Sequence, residues 1–154
     1  MKMIGRYAVR GQLGRGGMSR VYKVEMPVTG KIAALKRLEP NPLLVDLMGM
    51  DAVRELFVTE AVIVANLRHP HVTDIWNFDE EEDKPFYLMD YYCNNLGVMI
   101  GETYETEKPS RIIKTDRAIH YIRQILLGLD RLHHAGIIHR DIKPFNILIT
   151  DHDS

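Results

Sequence analysis

A glycine cluster, Leu13-Gly14-Arg15-Gly16-Gly17-Met18-Ser19-Arg20-Val21, stands between two runs of strand character, Tyr7 to Leu13 and Val21 to Met26. Where Cβ atoms are missing, backbone N–H groups can come close to an anion. The second of these runs limits the fold. A dinucleotide-binding unit needs a helix directly after its glycines, and this chain runs on into a strand. A Walker phosphate loop ends in Gly-Lys and then Ser or Thr, and that ending is absent. Two readings survive: a plain glycine-rich turn between antiparallel strands, or a hairpin loop that covers a phosphate.

A third strand, Lys31 to Leu38, comes after the turn signal Val28-Thr29-Gly30. Pro40 and Pro42 then interrupt the pattern. From Asp51 to Leu67, Val53, Leu56, Phe57, Val64 and Leu67 recur with helical spacing. Thr73 to Phe78 and Phe86 to Tyr92 read as two more strands, joined by a solvated acidic hairpin loop over Asp79 to Asp83. Polar residues accumulate between Asn94 and Lys114, and a second helix begins with Thr115 or Asp116 as N-cap. Ile119, Ile122, Ile125, Leu126, Leu129 and Leu132 form its apolar stripe, it reads as mostly buried, and Gly136 supplies the stop. The order predicts an α+β chain with a sheet-rich first part over residues 1–90 and a helical second part over 91–154.

On the third strand the two-residue period places Ile32, Ala34 and Lys36 on one face, so a lysine ends a small apolar stripe. Taken alone, Lys36 reads more readily as a strand-end lysine reaching solvent than as the partner of an anion. The first helix argues otherwise. At about 100° per residue, Glu60 falls within roughly 20° of the centre of the Val53 to Leu67 stripe. Burying an unpaired carboxylate costs several kcal/mol. A Lys36–Glu60 ion pair answers both needs.

His139-Arg140-Asp141-Ile142-Lys143-Pro144-Phe145-Asn146 precedes a last apolar run, Ile147-Leu148-Ile149. A hydroxyl attacking phosphorus needs an acceptor for its proton, which suits Asp141. A hard divalent cation needs oxygen ligands, which suits the side-chain carbonyl of Asn146.

This octet matches the catalytic loop H-R-D-x-x-x-x-N of protein kinases position for position, and the rest of the chain resembles that family in order. Gly14, Gly16 and Val21 fit the kinase loop G-x-G-x-x-G-x-V, with Ser19 where a third glycine is usual, and Ala33-Ala34-Leu35-Lys36 resembles Val-Ala-Ile-Lys. The resemblance runs from about Tyr7 to Ile149 and is to eukaryotic-type serine/threonine protein kinases. It implies a five-stranded antiparallel N-lobe with one main helix, a hinge, and an incomplete helical C-lobe. It implies ATP and Mg²⁺ as cofactors and a protein substrate. By this resemblance, Leu13, Gly14, Arg15, Gly16, Gly17, Met18, Ser19 and Val21 cover the nucleotide, and Ala34 and Lys36 contact it from the third strand. Met89 becomes a gatekeeper, and the backbones of Asp90 and Tyr92 meet adenine. Asp141 and Lys143 join Lys36 and Glu60 as catalytic residues, Lys143 as the lysine that serine/threonine kinases place near the transferred phosphoryl, and Asn146 binds metal. His139 holds the loop backbone. Arg140 is either the arginine of phosphorylation-controlled kinases or a loop-folding salt-bridge partner.

Ser154 comes before the Asp-Phe-Gly motif that kinases place after the asparagine, so this stretch alone is expected to be inactive, with self-association through the uncovered face of the second helix. A non-catalytic nucleotide-binding or regulatory kinase-like module is the alternative, and a small-molecule phosphotransferase ranks lower because Arg140 and Lys143 do not fit it. Twenty Lys plus Arg against 21 Asp plus Glu give no basic face for nucleic acid. One cysteine, Cys93, and no long uncharged apolar run are read as a cytoplasmic chain without a membrane segment.

Overall fold

The computed structural model describes residues 1–103 and 108–150, and they gather into two compact units. The first takes in Met1–Arg68 and Thr73–Tyr91; the second takes in His69–Val72 and the chain from Tyr92.

The first unit holds β1 (Met3–Ile4), β2 (Tyr7–Arg15), β3 (Ser19–Glu25), β4 (Ile32–Leu38), α1 (Pro42–Met48), α2 (Met50–Ala65), β5 (Ile75–Glu81) and β6 (Lys84–Asp90). The strands form one sheet in the order β1-β2-β3-β4-β6-β5, every neighbouring pair antiparallel. The five long strands are those expected; β1 adds a two-residue edge that sequence pattern does not reveal. Alternation along the strands divides the core. Ala33 and Leu35 of β4 pack with Phe86 and Leu88 of β6, while Leu38 and Tyr87 face Val53, Phe57 and Ala61 of α2. Ala34 and Lys36 share the α2 side of β4 with Leu38, as the two-residue period requires.

Three local expectations are revised. Pro42 does not only interrupt: it occupies the first turn of α1, where a missing N–H costs nothing, and the Asn41 side chain caps it by accepting from Leu43 N at 3.0 Å. The acidic run is mostly strand rather than loop. Asp79, Glu80 and Glu81 pair with Phe86, Pro85 and Lys84, leaving Glu82 and Asp83 as a tight turn with φ of 52° and 57°. Two successive positive φ values match the twist of the strands they join. The third revision concerns α2, where Val53, Phe57 and Ala61 make the buried line while Leu56 is half exposed. Leu67 is buried just beyond the helix end.

In the second unit, β7 (Asn94–Asn95) pairs antiparallel with β8 (Leu148–Ile149), and between them come α3 (Leu96–Met99), α4 (Thr115–His134) and a 3-10 turn over Pro144–Asn146. Residues 104–107, inside the irregular passage expected between Asn94 and Lys114, lie outside the described residues. Lys114, not Thr115 or Asp116, occupies the N-cap of α4, and its side chain makes no capping hydrogen bond. Gly136 ends α4 as expected, with φ of 76° and its N–H on His133 O, while Ile137 N reaches Leu132 O. The apolar stripe is partly misplaced. Tyr121, Gly128 and Leu132 are the buried line of α4, whereas Ile119, Ile122 and Leu126 are more than half exposed. Gly128 is where the His69–Val72 segment crosses the helix: a Cβ there would lie 2.8 Å from His71 O.

Candidate functional site

The residues singled out by the sequence fall into one set in each unit. In the first unit, β2 runs to Arg15 and β3 starts at Ser19, so Leu13, Gly14 and Arg15 end one strand and Gly16, Gly17 and Met18 make the turn. Gly14 pairs with Val21 across a register irregularity, and Gly16 N–H donates to Ser19 O at 2.8 Å. The turn is fastened on its far side, because Asn41 N–H donates to Gly17 O at 2.8 Å and Glu39 N–H to Met18 O at 3.2 Å. Ser19 is buried at the start of β3, so the residue standing where a glycine is usual is accommodated. None of Gly14, Gly16 and Gly17 has a positive φ, and no neighbour comes closer than 3.7 Å to a Cβ built on any of them. Neither backbone conformation nor packing among the described residues therefore calls for glycine at these three positions.

Lys36 and Glu60 form the expected ion pair, with Nζ 3.1 Å from Oε1. The register explains how Lys36 is held: it lies between Val21 of β3 and Tyr87 of β6, and the Tyr87 ring centroid is 5.7 Å from Nζ. Burial disfavours the charge on Lys36, but contacts with Tyr87 and Glu60 outweigh it and raise the pKa above the ordinary lysine value. Burial likewise pushes the Tyr87 phenol upward, against the pull of the nearby ammonium. Glu60 is not buried at the centre of the α2 stripe: its side chain is 46% exposed, against 21% for Lys36. The pair forms at the margin of the helix–sheet contact. At the other end of β4, Ala34 is buried and pairs with Met89, which packs against the α2 cluster. Asp90 closes β6 with its carboxylate 3.4 Å from Lys31 Nζ, and Lys23 Nζ lies 4.7 Å from the Tyr91 ring centroid. Tyr92 begins the second unit's main segment.

In the second unit, the loop from His139 to Asn146 is closed by its own side chains. His139 Nδ1 accepts from Asp141 N–H at 3.2 Å, the backbone-holding role expected of it. Asn146 Nδ2 donates to Asp141 O at 2.8 Å and to Asp141 Oδ2 at 2.9 Å. Lys143 Nζ stands 3.6 Å from the other carboxylate oxygen, Oδ1. Arg140 takes a left-handed backbone with φ of 65°, which turns the chain between His139 and Asp141. The loop is anchored beyond Asn146, where Leu96 N–H donates to Ile147 O at 2.9 Å and β8 pairs with β7. Phe145 lies on Gly97 of α3 so closely that a Cβ there would come within 2.8 Å of the ring.

The chemistry of these donor sets can be matched to a nucleotide and a metal. A lysine that keeps its charge and a glycine turn free of internal steric demand fit a phosphate chain. The Asn146 amide nitrogen is committed to Asp141, which leaves its carbonyl oxygen as the end able to bind a hard cation; with a carboxylate beside it, the donors suit Mg²⁺ in kind. Among the described residues no three of His, Cys, Asp and Glu cluster as a complete metal cage. That also suits Mg²⁺, which usually keeps several waters and takes phosphate oxygens as ligands.

Sequence reasoning missed Tyr87 and the Gly97–Phe145 contact. The first depends on strand register and the second on a long-range approach. A tyrosine in the strand-like run Phe86 to Tyr92 and an aromatic inside the His139–Asn146 octet were the available signals.

Comparison with known proteins agrees with the geometry. The family model described as protein kinase domain matches residues 7–154. An Aurora kinase of Debaryomyces hansenii is 36% identical over 138 residues, covering 90% of this chain and 31% of that protein. The probable serine/threonine-protein kinase PknB of Lactococcus lactis is 32% identical over 146 residues, 94% of this chain and 22% of that protein. The Aurora kinase of Saccharomyces cerevisiae is 35% identical over 138 residues, covering 90% of this chain and 35% of its own length. The chain thus spans about a third or less of these curated relatives.

Proposed function

The chain belongs to the protein kinase domain family, and from that membership we propose that the protein it comes from transfers the γ-phosphoryl group of ATP to serine or threonine hydroxyls of other proteins. One observation supports this above the rest: Asp141 is held by Asn146 on one carboxylate oxygen and faced by Lys143 on the other.

Each residue then has a task set by its chemistry. Asp141 accepts the proton of the attacking hydroxyl, and Asn146 and His139 keep the loop that carries it in one conformation. Lys143 places a positive charge beside Asp141, where phosphoryl transfer develops negative charge. Lys36, oriented by Glu60, binds phosphate oxygens, and the backbone from Leu13 through Arg15, Gly16, Gly17, Met18 and Ser19 to Val21 covers them. Glycine at 14, 16 and 17 is then explained by the close approach of a phosphate chain, since nothing among the described residues requires it. Ala34 and Met89 offer apolar contact to adenine, and the backbones of Asp90 and Tyr92 offer it hydrogen bonds. Asn146 would hold Mg²⁺ through its side-chain carbonyl oxygen, and the ion would supply neutralisation of phosphate charge.

The matched relatives support the hydroxyl class, because PknB carries serine/threonine kinase in its name. We read residues 1–90 as the N-lobe and 91–154 as the hinge and C-lobe; the two compact units differ from these limits in placing Tyr91 with the first and His69–Val72 with the second. The exposed thiol of Cys93 suits a reducing, cytoplasmic setting, and among the described residues no helix is long and apolar enough to cross a membrane. The exposed Ile119, Ile122 and Leu126 give this chain, taken alone, a face for self-association.

The test is radiolabel transfer from ATP to a protein acceptor by the full-length protein and its Asp141→Asn variant, with phosphoamino-acid analysis of the product. Asp141-dependent phosphoserine or phosphothreonine is the expected result. ATP binding with no Asp141-dependent transfer would point to a non-catalytic module, and phosphotyrosine as the only product would overturn the proposed hydroxyl class.

A further inference from the structure

A half-exposed glutamate is a weak restraint on a lysine. Water screens the charge of a side chain that is 46% exposed, as that of Glu60 is. Lys36 nevertheless has one position to hold, and its ammonium has three N–H donors of which Glu60 uses one. Something else in the first unit must help to fix it.

We propose that Tyr87 is the positioning residue for Lys36: directly opposite it in the β4–β6 register, it offers the ammonium an aromatic face and ties β6 to α2 through Phe57. Tyr87 is 5% exposed, so its ring has little freedom. Its centroid is 5.7 Å from Lys36 Nζ and 5.4 Å from the Phe57 ring, with the two rings tilted by 33°. The first distance is within reach of a cation–π attraction, and the second is an ordinary aromatic contact. Phe57 and Glu60 are one turn apart on α2. One aromatic pair therefore sets the distance between β6, the strand hydrogen-bonded to β4 beside Lys36, and the helix that carries Glu60. Glu60 from α2 and Tyr87 from β6 are the ionisable groups that act on the Lys36 ammonium, and together they hold its pKa up against burial. Tyr87 acts through Lys36 and is not itself a substrate ligand.

The inference rests on the reading of Lys36 as a phosphate-binding residue, but it can be tested apart from that reading. The measurement is competitive acylation of lysines across the alkaline range in the nucleotide-free full-length protein, with Lys36 monitored by mass spectrometry. Tyr87→Met keeps an apolar side chain in the buried site while removing the ring and the hydroxyl; Tyr87→Phe keeps the ring. For Tyr87→Met we expect the midpoint of Lys36 labelling to fall by about half a pH unit, about three-fold faster labelling at a fixed pH. Tyr87→Phe should move in the same direction and by less. Glu60→Gln combined with Tyr87→Met should label faster than either single variant. Midpoints equal to the native one in both Tyr87 variants would overturn the inference, and either variant reads it if the other fails to fold. Protection of native Lys36 by ATP with magnesium is read separately. Its absence would count against phosphate binding by Lys36 and would leave the Tyr87 result standing.

Discussion

Asn146 Nδ2 spans the loop to two atoms of Asp141, the main-chain oxygen at 2.8 Å and Oδ2 at 2.9 Å. A single amide thus fixes both the backbone and the carboxylate direction of a residue five positions earlier. Asp141→Asn should lower Asp141-dependent phosphoryl transfer by about 10² to 10⁴-fold, the usual contribution of a positioned base. Its far-ultraviolet circular dichroism and melting temperature should stay close to native. Asn146→Ala should reduce transfer as well and, unlike Asp141→Asn, should increase hydrogen exchange at the Asp141 to Lys143 amides.

The Lys36–Glu60 pair leads to a pH prediction with a definite sign. Contacts with Tyr87 and Glu60 raise the Lys36 pKa in the folded chain despite burial. A base whose folded pKa is raised adds stability in full below its unfolded pKa, about 10.4, and loses it as pH rises through the folded value. Native and Lys36→Met proteins, compared by urea denaturation, should therefore differ by a constant amount through neutral and mildly alkaline pH. Above pH of about 10.4 the native protein should lose its relative advantage. A difference that instead vanished on acidification through the histidine range would assign the effect to another group.

Gly97 and Phe145 meet across α3 and the 3-10 turn, with room for no Cβ: the ring atoms would lie 2.8 to 3.0 Å away. Gly97→Ala should cost about 1 to 3 kcal/mol, the typical penalty for overpacking. Phe145→Leu should recover part of that loss in the double variant, a non-additive result expected of residues in contact. Denaturant midpoints of the four proteins check this. Equal costs of Gly97→Ala in both backgrounds would show that Phe145 is not what Gly97 accommodates.

On α4, Ile119 and Ile122 are each 54% exposed and Leu126 is 57% exposed. For the 154-residue chain studied alone, sedimentation should show concentration-dependent association, and Ile122→Lys with Leu126→Glu should suppress it. Unchanged association in that double variant would place the contact elsewhere.

Local chemistry was legible: glycines between two strands, a lysine at the end of an alternating stripe, and an octet whose residue types suit proton acceptance and cation binding. Gly136 was legible as a helix stop because a left-handed residue after a last turn is a local requirement. The Lys36–Glu60 pair was also foreseen, from two periods that each put a charge on an apolar face.

Register, exposure and close approach belonged to tertiary structure. Periodicity gives the angle of a residue around a helix but not how much of the helix is covered. Glu60 was therefore placed too deep, and Ile119, Ile122 and Leu126 were expected on the covered face of α4, whereas its buried line is Tyr121, Gly128 and Leu132. Asp79 to Glu81 read as loop because their charges suggested solvent, yet a strand at the sheet edge can pair its backbone while its side chains stay wet. Tyr87 came to stand opposite Lys36 only when β4 and β6 aligned, since one residue of slippage would have turned it to the other face of the sheet. The chain's own residues named the chemistry; the pairing of distant strands and helices decided which side chains hold it in place.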